Sequence, residues 1–247
     1  MRLPKGLPLQ ALDYYRKYCL YTALLIVASM IFYGTFYALT YVRMFHLMSV
    51  HHNVIEPPHA IEEYFRFLML VSISISVVYS FIGIFIILFY LRRAFIRLLE
   101  FRRDRYYSPY LLSTIGYILG YISSPIALYV ILSLMINLFK VHGFFTVYDL
   151  LSSVLLIIVL IISIISSIIG VIGEYLLLSR LGEDIKNEVL KLYGILLIIG
   201  RVVAQFIISL VVYLLIYFEM EKIINVGRKR IELLESLERL NPMKYLG

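Results

Sequence analysis

The 247-residue chain has one cysteine, no tryptophan and only 16% charged residues, against about 25% charged in an ordinary soluble domain. The lone cysteine, Cys19, excludes an intrachain disulfide and any cysteine-based metal or redox centre. Without tryptophan, an aromatic belt at a membrane surface has to be built from the 22 tyrosines. With so little charge, the 62% of residues that are hydrophobic would leave a soluble fold too much apolar surface to hide. A soluble enzyme, a disordered chain and a nucleic-acid module are thereby excluded as expectations. An integral membrane protein is what remains.

Catalytic motifs are missing as well. No Walker A loop, dinucleotide fingerprint, G-x-S-x-G or H-E-x-x-H occurs. The apolar runs also lack the chains of Asp, Glu and His that ion-coupled pumps carry. Neither a catalytic residue nor a cofactor is expected, and the protein reads as a non-enzyme.

What is present is a series of five apolar runs, each long enough to cross about 30 Å of hydrocarbon as a helix. They cover residues 18–42, 67–91, 110–139, 150–178 and 193–218. The third is interrupted by Pro125, the fourth contains Glu174 and the fifth Arg201. Barrel strands would alternate apolar and polar residues, which these runs do not. The predicted fold is all-α: a polytopic transmembrane bundle of about five spans with an amphipathic interfacial segment and a helical tail. The first run is too long for a signal-peptide core and has no small-residue cleavage pattern, so it reads as a retained span.

Lys and Arg set the expected orientation. Thirteen fall in the arm 1–17 and the segments 92–109 and 179–192, against three in 43–66 and 140–149. The N-terminus is therefore expected on the cytoplasmic side of the cell membrane. The tail, 219–247, fits less well: five spans place it outside, yet it carries six bases, nearly cancelled by five acids. A re-entrant segment within the third or fourth run would bring it inside. Val226, Leu233, Leu237 and Leu240 mark one helical face of this tail, and Asn241-Pro242 ends it.

Arg201 is the most informative single residue, because a charge within hydrocarbon costs several kcal/mol unless paired. Glu174 lies at comparable depth, so a Glu174–Arg201 ion pair joining the fourth and fifth spans is expected, with Gln205 on the same face as Arg201. A substrate path and simple snorkelling are the other readings. The histidines fall in the outer segments. His46, His51, His52 and His59 share one with three glutamates, a chemistry that suits zinc, copper or nickel or a pH-responsive surface. Their spacing matches no closed metal motif and Pro57-Pro58 marks an irregular loop, so they are weak metal candidates and no metal is assigned.

Small residues recur at helical spacing: Ser72, Ser76, Ser80 and Gly83; Gly116 and Gly120; Gly170 and Gly173. They imply close helix packing within the chain or between copies. Tyr33, Tyr37 and Tyr41, and again Tyr117 and Tyr121, form stripes expected to anchor at the interface or pack with other rings. Arg92, Arg93, Arg97, Arg102, Arg103 and Arg105 punctuate an amphipathic segment with Phe95, Ile96, Leu98, Leu99 and Phe101 between them. That segment is expected to lie on the inner leaflet against anionic headgroups. Partners are thus the bilayer, possible further copies or other membrane subunits, and no nucleic acid. The leading role is a structural or accessory component of a membrane assembly. The alternatives are a small channel or transporter subunit using Arg201 and the serine-lined second span, and the anchor of a larger enzyme complex.

One stretch carries a family signal: residues 178–187, LSRLGEDIKN, followed by 190–199, LKLYGILLII. It resembles the join between the last two spans in domain-of-unknown-function family 973, multi-pass proteins of thermoacidophilic archaea. Abundant Ile, Leu, Tyr and Arg with few Gln suits a thermophile too. The chain departs from that pattern at Tyr193-Gly194 and at Ile199-Gly200-Arg201. The resemblance implies about five spans and no activity or site residue.

Overall fold

Within hydrocarbon every backbone N–H and C=O must find its partner internally, and the helix does this within one segment. The apolar runs accordingly extend helices well beyond their own ends. The computed structural model describes residues 7–50, 58–139, 147–203 and 207–240. α1 covers Leu9–Val50 and α2 Pro58–Ile86, which passes through a π-helical turn, Ile87–Leu91, into α3, Arg92–Phe101. α4 covers Arg103–Phe139, α5 Val147–Ile185, α6 Glu188–Val203 and α7 Ile207–Leu240. No strand occurs among the described residues. At 1.5 Å per residue α1 extends about 63 Å, twice the hydrocarbon thickness. Among the described residues, four helical stretches are long and apolar enough to cross a membrane: Leu9–Arg43, Arg66–Phe101, Arg103–Leu132 and Val154–Ile185.

The fifth apolar run behaves differently. It is divided between α6 and α7, and these two helices run antiparallel. Asn187, just before α6, donates from Nδ2 to Glu219 Oε1 of α7 at 2.7 Å. Near the other end, a Cβ on Gly200 would lie 2.9 Å from Ile208 Cγ2. A helix continuing through both residues would hold them about 12 Å apart. The run is a hairpin reaching partway along the bundle. The re-entrant segment therefore lies in the fifth run, not in the third or fourth. α7 returns to the end where α1 starts, with Arg16 Nη1 3.7 Å from Glu221 Oε1.

That shared end is the basic end, and its corners are held by side chains. Arg102 leaves helical geometry at φ −151°, ψ 88° and separates α3 from α4. The segment 179–192 is no loop: α5 and α6 fill it except for Lys186 and Asn187. Asn187 N–H bonds Gly182 O at 2.8 Å and Lys186 N–H bonds Glu183 O at 3.2 Å. With Lys186 at φ 56°, this is a Schellman turn. Asn187 Oδ1 then accepts from Val189 N–H at 3.0 Å and caps α6.

Packing concentrates in the half of the bundle that the hairpin fills. Leu12, Phe95, Leu98, Leu177, Leu181 and Ile216 are all at most 1% exposed. Farther along α1, Ile31, Tyr37, Leu39 and Tyr41 are 63–72% exposed, and their apolar surface is left to lipid. α4 and α5 stay together over most of their length because glycine removes the spacer between them. A Cβ on Gly116 would strike the Gly170 backbone, and one on Gly173 the Ser113 backbone. Here the small residues serve contacts within the chain.

Candidate functional site

Glu174 lies on the face of α5 turned into the packed half and is completely buried. A carboxylate is an acceptor with about four lone-pair directions, and its burial is tolerable only when donors fill them. Three tyrosines from three other helices do so. Tyr15 of α1 donates to Oε1 at 2.8 Å. Tyr213 of α7 donates to Oε2 at 2.9 Å, and Tyr117 of α4 makes a short bond to the same oxygen. One carboxylate thus ties four helices together.

Arg201, on α6, does not make the expected ion pair with Glu174. Its Nε donates to Ser167 Oγ of α5 at 2.8 Å, its one hydrogen bond among the described residues. The physical reason is competition: three phenol hydroxyls already donate to the carboxylate, and the guanidinium takes the Ser167 hydroxyl instead. Gln205, expected beside Arg201, lies outside the described residues.

Between these groups is a cavity that offers about 30 Å³ to the centres of water-sized atoms, room for roughly two waters or one monatomic ion. Its lining includes Tyr18, Tyr79, Tyr117, Tyr121, Arg201 and Tyr213. Four more lining residues, Ile26, Gly83, Ile86 and Ile87, come from α1, α2 and the start of the π turn. A π turn adds one residue to a helical circuit and re-aims the side chains beside it. Gly83 makes room here for the Tyr121 ring, which a Cβ would displace. Rings pack through the same region, with Tyr18 edge-on to Tyr213 at 6.1 Å between centroids and Tyr79 6.0 Å from Tyr121.

The structure distributes the other sequence-nominated residues unevenly. Tyr117 and Tyr121 line the centre, whereas Tyr37 and Tyr41 are exposed. Ser72, Ser76 and Ser80 are buried, yet none of them lines the cavity. His51 and His52 lie outside the described residues. His46 and His59 fall within α1 and α2, with side chains outside the description. No group of three metal-ligating side chains occurs among the described residues.

The six arginines of the basic segment also separate. Arg102 Nη1 and Arg105 Nη1 both bond Asp184 Oδ1, at 3.0 and 2.9 Å. Arg105 Nη2 reaches Glu183 Oε2 at 2.5 Å, and Tyr106 donates to Asp184 Oδ2 at 2.7 Å. Arg97 pairs with Glu100 at 3.0 Å. Arg93 sits 5.3 Å above the Phe89 ring centroid, while Arg92 and Arg103 are exposed. The apolar face of α3 enters the protein core rather than lipid: Ala94 and Phe95 are fully buried. Arg102 and Arg105 thus lock the α3–α4 corner onto the α5–α6 corner.

Sequence reading missed Tyr15, Tyr213 and Ser167. The signal for the tyrosines was present but unspecific: a buried carboxylate in a chain without intramembrane histidine or lysine needs hydroxyl donors, and 22 tyrosines compete for the role.

No curated protein and no solved structure matches the chain. A family model described as "Protein of unknown function (DUF973)" matches residues 9–242, nearly the whole chain, and includes every residue of the centre just described. With four helices apolar enough to span a bilayer, this is an integral membrane protein, and it belongs to the DUF973 family of proteins of unknown function.

Proposed function

We propose that the protein is a non-enzymatic carrier that holds a small inorganic anion at Arg201 within the bundle. In this reading it resides in the cell membrane with its N-terminus and the basic end on the cytoplasmic side. The observation that carries the reading is Arg201 itself: a guanidinium lining an interior cavity with, among the described residues, only Nε committed to a protein acceptor. An intramembrane charge of this kind marks a substrate or ion path by default. Two surrounding features support the assignment. α6 and α7 form an antiparallel broken pair, and carriers use such half-helices, whose N-termini face anionic groups. Glu174 supplies compensating charge, but its oxygens are taken by tyrosine hydroxyls, so Arg201 keeps capacity for a second anion. The cavity volume, about 30 Å³, favours chloride-sized ions over organic acids.

The test is chloride efflux from sealed vesicles containing the purified full chain. Wild type is expected to pass chloride, and Arg201→Gln to fall to the protein-free background. Vesicles that stay sealed to chloride, bromide and nitrate, or flux that survives Arg201→Gln, would overturn the carrier reading. The competing reading is a structural or accessory membrane subunit, favoured by the four-helix tie at Glu174. It expects no flux and co-purification with other membrane chains through the exposed apolar flanks of α1 and α5.

A further inference from the structure

A second site lies at the basic end, separate from the Arg201 centre and independent of the carrier reading. A cleft of about 520 Å³ opens there between the first turns of α1, α3 and the middle of α7. Its lining includes Asp13, Tyr14, Lys17, Arg97, Ile224 and Arg228. Lys17, Arg97 and Arg228 line it from three different helices, and because Asp13 offsets Lys17, Arg97 and Arg228 are the like charges left without an anion in the lining. The one acid in the lining is already neutralised. Asp13 takes Arg16 Nη2 at 2.9 Å and Lys17 Nζ at 2.8 Å. The pairing of Arg97 is exchangeable: its side chain is 47% exposed and its partner Glu100 59%, so solvent screens the pair. Arg228 has no carboxylate within 4 Å among the described residues. Arg93 adds a fourth positive group, its guanidinium 5.9 Å from the Tyr14 ring centroid.

Polarity is arranged across the cleft as well as around it. Tyr14, Ile224 and Leu9 add aromatic and aliphatic surface to the same lining as the cations. The cleft sits where the charge-free part of α1 begins, the level at which a headgroup layer meets hydrocarbon. Two guanidinium forks with an ammonium match the tetrahedral oxygens of a phosphate, each fork able to bind two of them. We propose that this cleft binds a phosphate ester, with the phosphate held between Arg97, Arg228 and Lys17 and its organic portion against Tyr14 and Ile224. The ester could be a phospholipid headgroup or a soluble phosphorylated compound, and both present the same group to the same residues.

The full-length protein, delipidated in detergent, would be titrated with phosphatidylglycerol, phosphatidylcholine and glycerol phosphate, with bound ligand counted by native mass spectrometry. Arg97→Gln and Arg228→Gln, on exposed side chains, are each expected to weaken binding about tenfold, as loss of one charge-assisted hydrogen-bonded group does. Lys229→Gln, a neighbouring charge outside the cleft, should leave it unchanged. Arg228→Lys should retain part of the affinity, because the charge survives and the fork does not. Phosphatidylglycerol retained against excess glycerol phosphate identifies a lipid site; displacement by glycerol phosphate identifies a soluble ligand. Equal retention by wild type, the Arg97→Gln/Arg228→Gln double variant and Lys229→Gln would overturn the proposal. So would the absence of saturable binding by all three ligands.

Discussion

Glu174 shows how one residue can organise four helices. Three phenol hydroxyls spend their single donor protons on it, and each would be left unpaired in a water-poor interior if the carboxylate were removed. The cost of breaking such a buried set exceeds the worth of any one bond in it, about 3–5 kcal/mol against about 1–2 kcal/mol. Glu174→Leu is accordingly expected to destabilise the protein in detergent by about 3–5 kcal/mol, and Tyr213→Phe by about 1–2 kcal/mol. In double-mutant cycles, Glu174 should couple more strongly to Tyr213 than to Arg201, since only the tyrosine touches it. Reversed couplings would restore the direct ion pair. The residue scale also shows why a depth argument alone misassigned that pair. Equal depth puts two charges in one layer but says nothing of which side chains stand between them.

Among the elements, the joint between α5 and α6 is the most sharply specified. Lys186 occupies the left-handed position of the Schellman turn at φ 56°, where a side chain costs about 1–2 kcal/mol. Glycine there would forfeit only about 0.5–1 kcal/mol of unfolded-chain freedom. The strain term is larger, so Lys186→Gly is expected to raise stability by about 0.5–1 kcal/mol, read as a shift of the thermal midpoint in detergent. A lowered midpoint would mean that the lysine side chain contributes more than its backbone costs. This joint lies within residues 178–187, the stretch that carried the family resemblance. Its two-residue length fixes the local geometry: the Gly182 carbonyl accepts from Asn187 N–H, and the Asn187 side chain caps α6.

The half-depth hairpin α6–α7 decides the shape of the whole molecule. It adds two helices to the basic half of the bundle and none to the other half. One half is therefore a packed core, and in the other α1 and much of α5 present apolar side chains outward. It also decides where the tail goes. The described basic residues of the tail, Lys222, Arg228, Lys229 and Arg230, return to the end that holds the arm and the arginine segment, which eases the conflict with the positive-inside pattern. Gln10→Cys and Glu235→Cys, introduced singly while the buried Cys19 remains unreactive, are expected to react with an impermeant maleimide from the same side of sealed vesicles. Labelling from opposite sides would restore five complete spans and contradict the hairpin.

Much of this protein follows from composition and run length. Hydrocarbon admits only helices from charge-free runs this long, so the all-α class, the multi-pass character and the clustering of bases at one end were legible without coordinates. Arg201 and Glu174 were legible too, because charge in an apolar run stands out at any level of structure. Tertiary structure alone decided that the fifth run folds back on itself. A run of 26 residues (193–218) satisfies hydropathy equally well as one span or two half-helices, and packing against α1 and α5 selects between them. It alone also selected three tyrosines from 22 for the Glu174 centre and turned the apolar face of α3 into the core. Those outcomes depend on which helix faces which, a relation between distant residues that no local pattern encodes.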